Sequence, residues 1–212
     1  MKARHCRPDT MTAPASSPRR RLLRTLLRTL WQVGAVSQLA RPFAGFTQTL
    51  APTPACGANP RSTASQTEGP YFKRSSPMRQ SLLETGMAGE RLHLTGRVLD
   101  TRCQPVARAL LDFWQADAAG AYDNRGFTLR GHQFSDAAGG FVLDTVVPGL
   151  YPGRTRHIHV KVQAPGGRVL TTQLYFPDES GNQRDGIFAP ELLVTLQRSG
   201  AQALAGFDFV LS

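Results

Sequence analysis

From Arg91 to Leu211 the chain runs in short apolar and alternating stretches broken by turn-forming residues. Arg91-Leu-His-Leu-Thr-Gly-Arg-Val-Leu99 spaces its leucines two apart, the period at which strand side chains share a face. Asp100 to Gln104 reads as a turn, and Ala109-Leu-Leu-Asp-Phe-Trp114 as a buried strand. Gly140 to Val147, Thr155 to Val162, Val169 to Phe176 and Phe207 to Leu211 give further strands, each bounded by Gly, Pro, Asp or Asn. Only Pro190 to Gln197 looks helical, and it is short. Many short strands at even spacing predict an all-β sandwich with few or no helices.

Within that pattern Tyr151-Pro-Gly-Arg154-Thr-Arg156-His157-Ile158-His159-Val160-Lys161-Val162 carries most of the chemistry. In a strand, His157 and His159 share one face, while Ile158, Val160 and Val162 face the other and can anchor in a core. Two imidazoles on a rigid element can clamp a metal, and a phenol (Tyr151) and a guanidinium (Arg154) lie within nine residues of them. By itself the His-x-His spacing fits a hydrogen-bonded surface pair as readily, and Tyr151 fits a packed aromatic.

Charge divides the chain in two. Of the formal net +10, residues 1–56 contribute +8 and residues 57–212 only +2. The basicity belongs to a leader and linker (1–56) and not to the domain (57–212), which removes the main support for nucleic-acid binding. Pro18-Arg19-Arg20-Arg21-Leu22-Leu23-Arg24, followed by a mildly apolar run to Ala40, is similar to a twin-arginine export signal. It implies a partner in the twin-arginine machinery and a periplasmic or extracellular destination; a non-functional leader would leave the protein in the cytoplasm. The run is too short and too interrupted for a membrane span. Cys6 would leave with the leader, and Cys56 and Cys103 could pair in an oxidising compartment or remain two unrelated thiols.

Five blocks, in order, resemble the intradiol ring-cleavage dioxygenases, non-haem ferric enzymes that open catechols between the two hydroxyls. They are Thr67-Glu-Gly-Pro-Tyr-Phe72, Gly89 to Asp100, Asp112-Phe-Trp-Gln-Ala-Asp-Ala-Ala-Gly-Ala-Tyr122, Tyr151 to His159, and Thr171-Thr-Gln-Leu-Tyr-Phe-Pro177. The resemblance implies Fe(3+) held by Tyr122, Tyr151, His157 and His159, in a cleft of a sandwich of transthyretin-like or immunoglobulin-like form. Ferric iron is hard and favours anionic oxygen donors, and binding it brings a phenol's pKa down to where tyrosinate is available.

The resemblance also implies roles. A catechol binds the iron through both oxygens, and Tyr151 leaves the metal and helps take a substrate proton. O2 attacks the activated ring, and a muconate-type diacid results. Arg154 stands near the ring, where a fixed cation stabilises developing negative charge. Gln173 and Tyr175 are polar substrate-side positions on the next strand, and Arg156 supports the Pro-Gly loop. Arg130 would join Arg154 in accepting an anionic substituent if it lies near the cleft.

Two departures bear on the substrate. Tyr151 precedes His157 by only six positions, and Gly153 stands where the better-known members carry a bulky aromatic. Both imply a more open pocket, so catechol, a carboxylated catechol and hydroxyquinol all stay open as substrates, as does an assembly of identical chains. The rival reading from another class is an exported, non-catalytic binding module with a structural metal site. Tyr122 and Tyr151 speak against it, since zinc draws His, Cys or carboxylate.

Overall fold

The structure is a computed structural model that describes residues 61–212. The proposed leader and linker lie outside the described residues, as do Cys6 and Cys56. Nine strands follow in chain order: β1 (Arg91–Asp100), β2 (Leu110–Trp114), β3 (Arg130–Phe134), β4 (Gly140–Val146), β5 (His157–Gln163), β6 (Val169–Tyr175), β7 (Thr195–Ser199), β8 (Gln202–Gly206) and β9 (Phe209–Leu211). Among the described residues the only helical pieces are two 3-10 turns, Asn182–Arg184 and Pro190–Leu192. None is long and apolar enough to cross a membrane.

The strands form two sheets, as the alternation predicts. One has the order β4-β1-β8-β7, with β9 added beside β1; the other has the order β3-β2-β5-β6. β1 is antiparallel to β4 but parallel to β8 and β9, so the last strands return alongside the first. Leu92 and Leu94 of β1, Leu143 of β4, Leu111 and Phe113 of β2, and Ile158, Val160 and Val162 of β5 are all at most 1% exposed and belong to one core. Burying each such side chain contributes roughly 1.5–3 kcal/mol before entropy is counted. Gly96 sits where β1 passes the backbone of Phe207. A Cβ there would stand 1.7 Å from the Phe207 carbonyl oxygen, so no side chain fits.

The stretch expected to be helical is not. Pro190 opens a single 3-10 turn, and Thr195–Ser199 then pairs with β8 as an edge hairpin closed by a turn with Gly200 at φ 61°. The apolar residues there are spent differently: Leu192 and Val194 enter the core, and pairing decides the rest. β8 is also absent from the sequence reading, and so is β3. Its Arg-Gly-His-Gln-Phe composition carries no apolar alternation, and it is recruited as an edge by β2. Cys103, at φ 61° in the Asp100–Gln104 turn, is disulfide-bonded, and its partner lies outside the described residues.

Candidate metal centre

One face of the β3-β2-β5-β6 sheet packs into the core, and the other carries the site. Register places Arg130, Trp114, His159 and Gln173 in one cross-strand row, with His157 opposite Tyr175 in the next. The alternation read from the sequence holds: His157 and His159 share the outer face and Ile158 and Val160 the inner. β2 ends at Trp114, so no strand covers His157 on that side, and the loop leaving β2 brings Tyr122 over it.

That loop is fixed by two aspartates. The Asp117 carboxylate accepts the N–H groups of Ala119 and Ala121, and Asp123 accepts those of Arg125, Gly126 and Thr128. Those backbone bonds hold the Asp123 carboxyl well below the usual range. Gly120, at φ 87°, lets the chain pass under Leu150, whose carbonyl oxygen would lie 2.0 Å from a Cβ. Tyr122 is thus held between two local knots.

Three donors converge. His157 Nε2 and His159 Nε2 are 3.2 Å apart, and the Tyr122 hydroxyl is 3.5 Å from His157 Nε2. His157 Nδ1 faces the Thr155 carbonyl at 2.6 Å, so Nδ1 carries the proton and the Nε2 lone pair points into the site. Burial lowers the His157 pKa to about 4. It lowers that of His159 to about 2, with the neighbouring His157 and Arg154 adding to the effect. Both are therefore neutral, the ligating form. The Tyr122 phenol is pushed well above its ordinary value by burial. Trp114 stacks on His159 at 4.8 Å and 4°, which sets the ring's plane.

Tyr151 stands at the rim. Its ring lies 6.0 Å from Tyr122 at 88°, and its hydroxyl accepts a hydrogen bond from Tyr71 at 3.3 Å. Tyr71, which the sequence reading left without a role, also stacks on Tyr122 at 4.3 Å. Its only signal was its place in the Thr67–Phe72 block. Gly69, two residues earlier at φ 71°, lies against the His159 ring, where a Cβ would stand 3.3 Å from Cε1.

Arg154 is brought in by a residue the sequence gave no reason to choose. Asp185, its side chain 2% exposed, accepts Arg154 Nε at 2.8 Å and the Thr155 N–H at 2.9 Å. Arg154 Nη2 donates to Gln173 Oε1 at 2.6 Å and to the Tyr175 hydroxyl at 3.4 Å. Gln173 and Tyr175 therefore hold the arginine, and burial raises the Tyr175 pKa to about 12. Arg156 supports the loop as expected, bonding the Pro148 carbonyl and Glu179.

Arg130 is corrected. It is 1% exposed and donates to the carbonyls of Asp123 and Tyr71, so it braces the backbone beside two site tyrosines and cannot meet a substrate anion. The other two histidines among the described residues are engaged elsewhere, His93 with Asp144 and His132 with Ser76.

The donor set fits a hard, highly charged ion. Two imidazole lone pairs and a phenol oxygen facing one point repel one another unless a cation lies among them, and a cation would reverse the upward shift of Tyr122. No group of three or more His, Cys, Asp or Glu placed to hold a metal ion lies among the described residues, and the donors that do converge are imidazole and phenol.

Comparison with known proteins agrees with the geometry. A family model described as "Dioxygenase" matches residues 67–212. The dioxygenase domain of a dioxygenase–carbohydrate-binding protein fusion from Streptomyces sp. SirexAA-E has 55% sequence identity and a TM-score of 0.71, covering 72% of this chain and 99% of that one. The 3-chlorocatechol 1,2-dioxygenase of Rhodococcus opacus 1CP has 31% identity and a TM-score of 0.66, covering 71% and 72%. The hydroxyquinol 1,2-dioxygenase of Nocardioides simplex is 30% identical over 161 residues, 64% of this chain and 55% of that protein. The chain belongs to the intradiol ring-cleavage dioxygenase family. It spans about half the length of the curated relatives it matches.

Proposed function

We propose that the protein uses O2 to open a catechol-type ring between its hydroxyls, at a ferric ion held by Tyr122, Tyr151, His157 and His159. The observation that carries this reading is the convergence of Tyr122 and the two Nε2 atoms, with a fixed cation, Arg154, beside them. Ferric iron, when bound, would withdraw electron density from the catecholate and open the ring to O2.

The other contributions come from the chain. Burial keeps His157 and His159 unprotonated, so neither competes for the substrate's protons. Tyr151 is held at its hydroxyl by a phenol rather than a charge, and as the tyrosinate that the metal would hold it could exchange partners and take a proton from a substrate hydroxyl. Tyr71 can keep that bond as Tyr151 shifts. Arg154, locked by Asp185 and Gln173, supplies a preorganised positive charge for the negative charge that develops as the ring opens to a muconate-type diacid. Trp114, backed by Phe72, covers one face of the His159 imidazole.

We also propose that the protein works outside the cytoplasm, exported by the twin-arginine route. The Arg19-Arg20 leader and the disulfide at Cys103 both support an oxidising destination.

The test is colour and turnover. Tyrosinate on ferric iron absorbs in the visible, so iron-loaded protein should be red to burgundy and should consume O2 with a catechol while forming a muconate-type product. A colourless protein with stoichiometric iron would overturn the two-tyrosinate centre. Cleavage beside the hydroxyls, or no turnover of any catechol by iron-replete protein, would overturn the activity.

A further inference from the structure

Beside the centre lies an open pocket of about 310 Å³, bounded by the loops at 150–155 and 179–185 and walled in part by Tyr151 and Arg154. That volume is at the lower end of those that hold small molecules. Gly153 lines it, and a Cβ at that position would meet nothing within 4 Å, so the wall is open there. Leu150, 57% exposed, gives it an apolar lip.

The charges on its wall are unequally committed. Asp185 is bound to Arg154 and the Thr155 N–H, and Glu179 to Arg156. Arg154 has Nε and Nη2 occupied by Asp185 and Gln173. Arg184 is exposed, lines the same pocket and has no acidic partner among the described residues. Its backbone is nonetheless fixed. Its N–H donates to the Gly181 carbonyl at 3.0 Å, Thr155 Oγ1 donates to Asn182 Oδ1 at 2.6 Å, and Asn182 Nδ2 donates to the Phe176 carbonyl at 2.9 Å. A guanidinium mounted on a rigid loop and left unpaired is suited to a planar anion.

We propose that this pocket receives the ring substituent of the substrate, and that Arg184 selects a catechol whose short side chain ends in a carboxylate. The inference rests on the ring-cleavage reading above and deepens it. The ring lies at the metal centre beside Arg154, the stem of the side chain passes Leu150 and Gly153, and the carboxylate meets Arg184. A partly exposed ion pair of this kind should favour the acid over its neutral amide by about tenfold.

The experiment compares kcat/KM for dihydrocaffeate and for its primary amide, with methylcatechol as a reference, in iron-loaded wild type, Arg184→Gln, Arg184→Lys and Ser180→Asp. Ser180 lines the same pocket, so the last variant sets a negative charge there. The acid-to-amide ratio should fall about tenfold in Arg184→Gln, recover in part in Arg184→Lys and invert in Ser180→Asp. Calorimetric binding of phloretate, whose single hydroxyl prevents turnover, should weaken in step. A wild-type ratio near one, or a ratio that Arg184→Gln and Ser180→Asp leave in place, overturns this proposal while methylcatechol turnover keeps the parent reading. Failure of wild type to turn over methylcatechol overturns the parent reading, and this one with it.

Discussion

Asp185→Asn isolates the device that fixes Arg154. The carboxylate uses both oxygens: Oδ2 accepts Arg154 Nε and the Thr155 N–H, and Oδ1 accepts the Ile187 N–H at 3.1 Å. An amide has one acceptor atom, so either orientation sets an NH2 group against at least one of these donors. Losing a charge-assisted bond and opposing a buried donor should destabilise the protein by about 2–4 kcal/mol, a large share of an ordinary domain's 5–15 kcal/mol, roughly. Burial resists ionisation of Asp185, but its backbone and Arg154 bonds outweigh it and set the pKa below the usual carboxylate value. A depressed carboxylate contributes stability that is full above its unfolded pKa and lost as pH falls through the folded one. The gap between wild type and Asp185→Asn should therefore hold from neutral pH to about pH 4 and close below it. Urea unfolding at a series of pH values measures it. A loss below about 0.5 kcal/mol at pH 7, the range of ordinary surface changes, or a gap that does not narrow in acid, would refute the assignment. The variant should also lower kcat more than it raises KM, because Arg154 keeps its bond to Gln173 but loses its orientation.

His157→Ala and His159→Ala should each sharply reduce bound iron, measured by metal analysis, whereas His93→Ala and His132→Ala, whose rings bond Asp144 and Ser76, should retain it. Arg154→Ala should lower kcat by about tenfold to a thousandfold with iron content and visible colour kept, as expected on losing one preorganised charge; lost iron would instead make Arg154 a support of the ligands. Replacing Arg19 and Arg20 by lysine should hold the protein in the cytoplasm on fractionation, and unchanged export would point to another route or to another pair of arginines.

The sequence by itself determined what depends on local periodicity and side-chain chemistry. Two-residue alternation placed His157 and His159 on one face and Ile158, Val160 and Val162 on the other, because a strand leaves a side chain no third direction. The same alternation marked β1, β2, β4, β5, β6 and β9 to within two residues at each end. Charge counting separated a basic N-terminal segment from a nearly neutral remainder, and the ordered blocks supplied the family. What it could not determine rests on distant pairing. β3 has no apolar period of its own and becomes a strand only because β2 offers it an edge. Residues 195–199 fold back on β8 instead of continuing the helical turn begun at Pro190. Arg130 looks from the sequence like one more cation, and only the packing of Tyr71 and Asp123 around it turns it into a buried brace. Tyr71 and Asp185 reach the centre from 51 residues before Tyr122 and 31 after Arg154, separations at which no local pattern ties them to the histidines. Each is set in place by contacts that exist only once the sheets have closed, and the fixing of Arg154 therefore belongs to the tertiary structure alone.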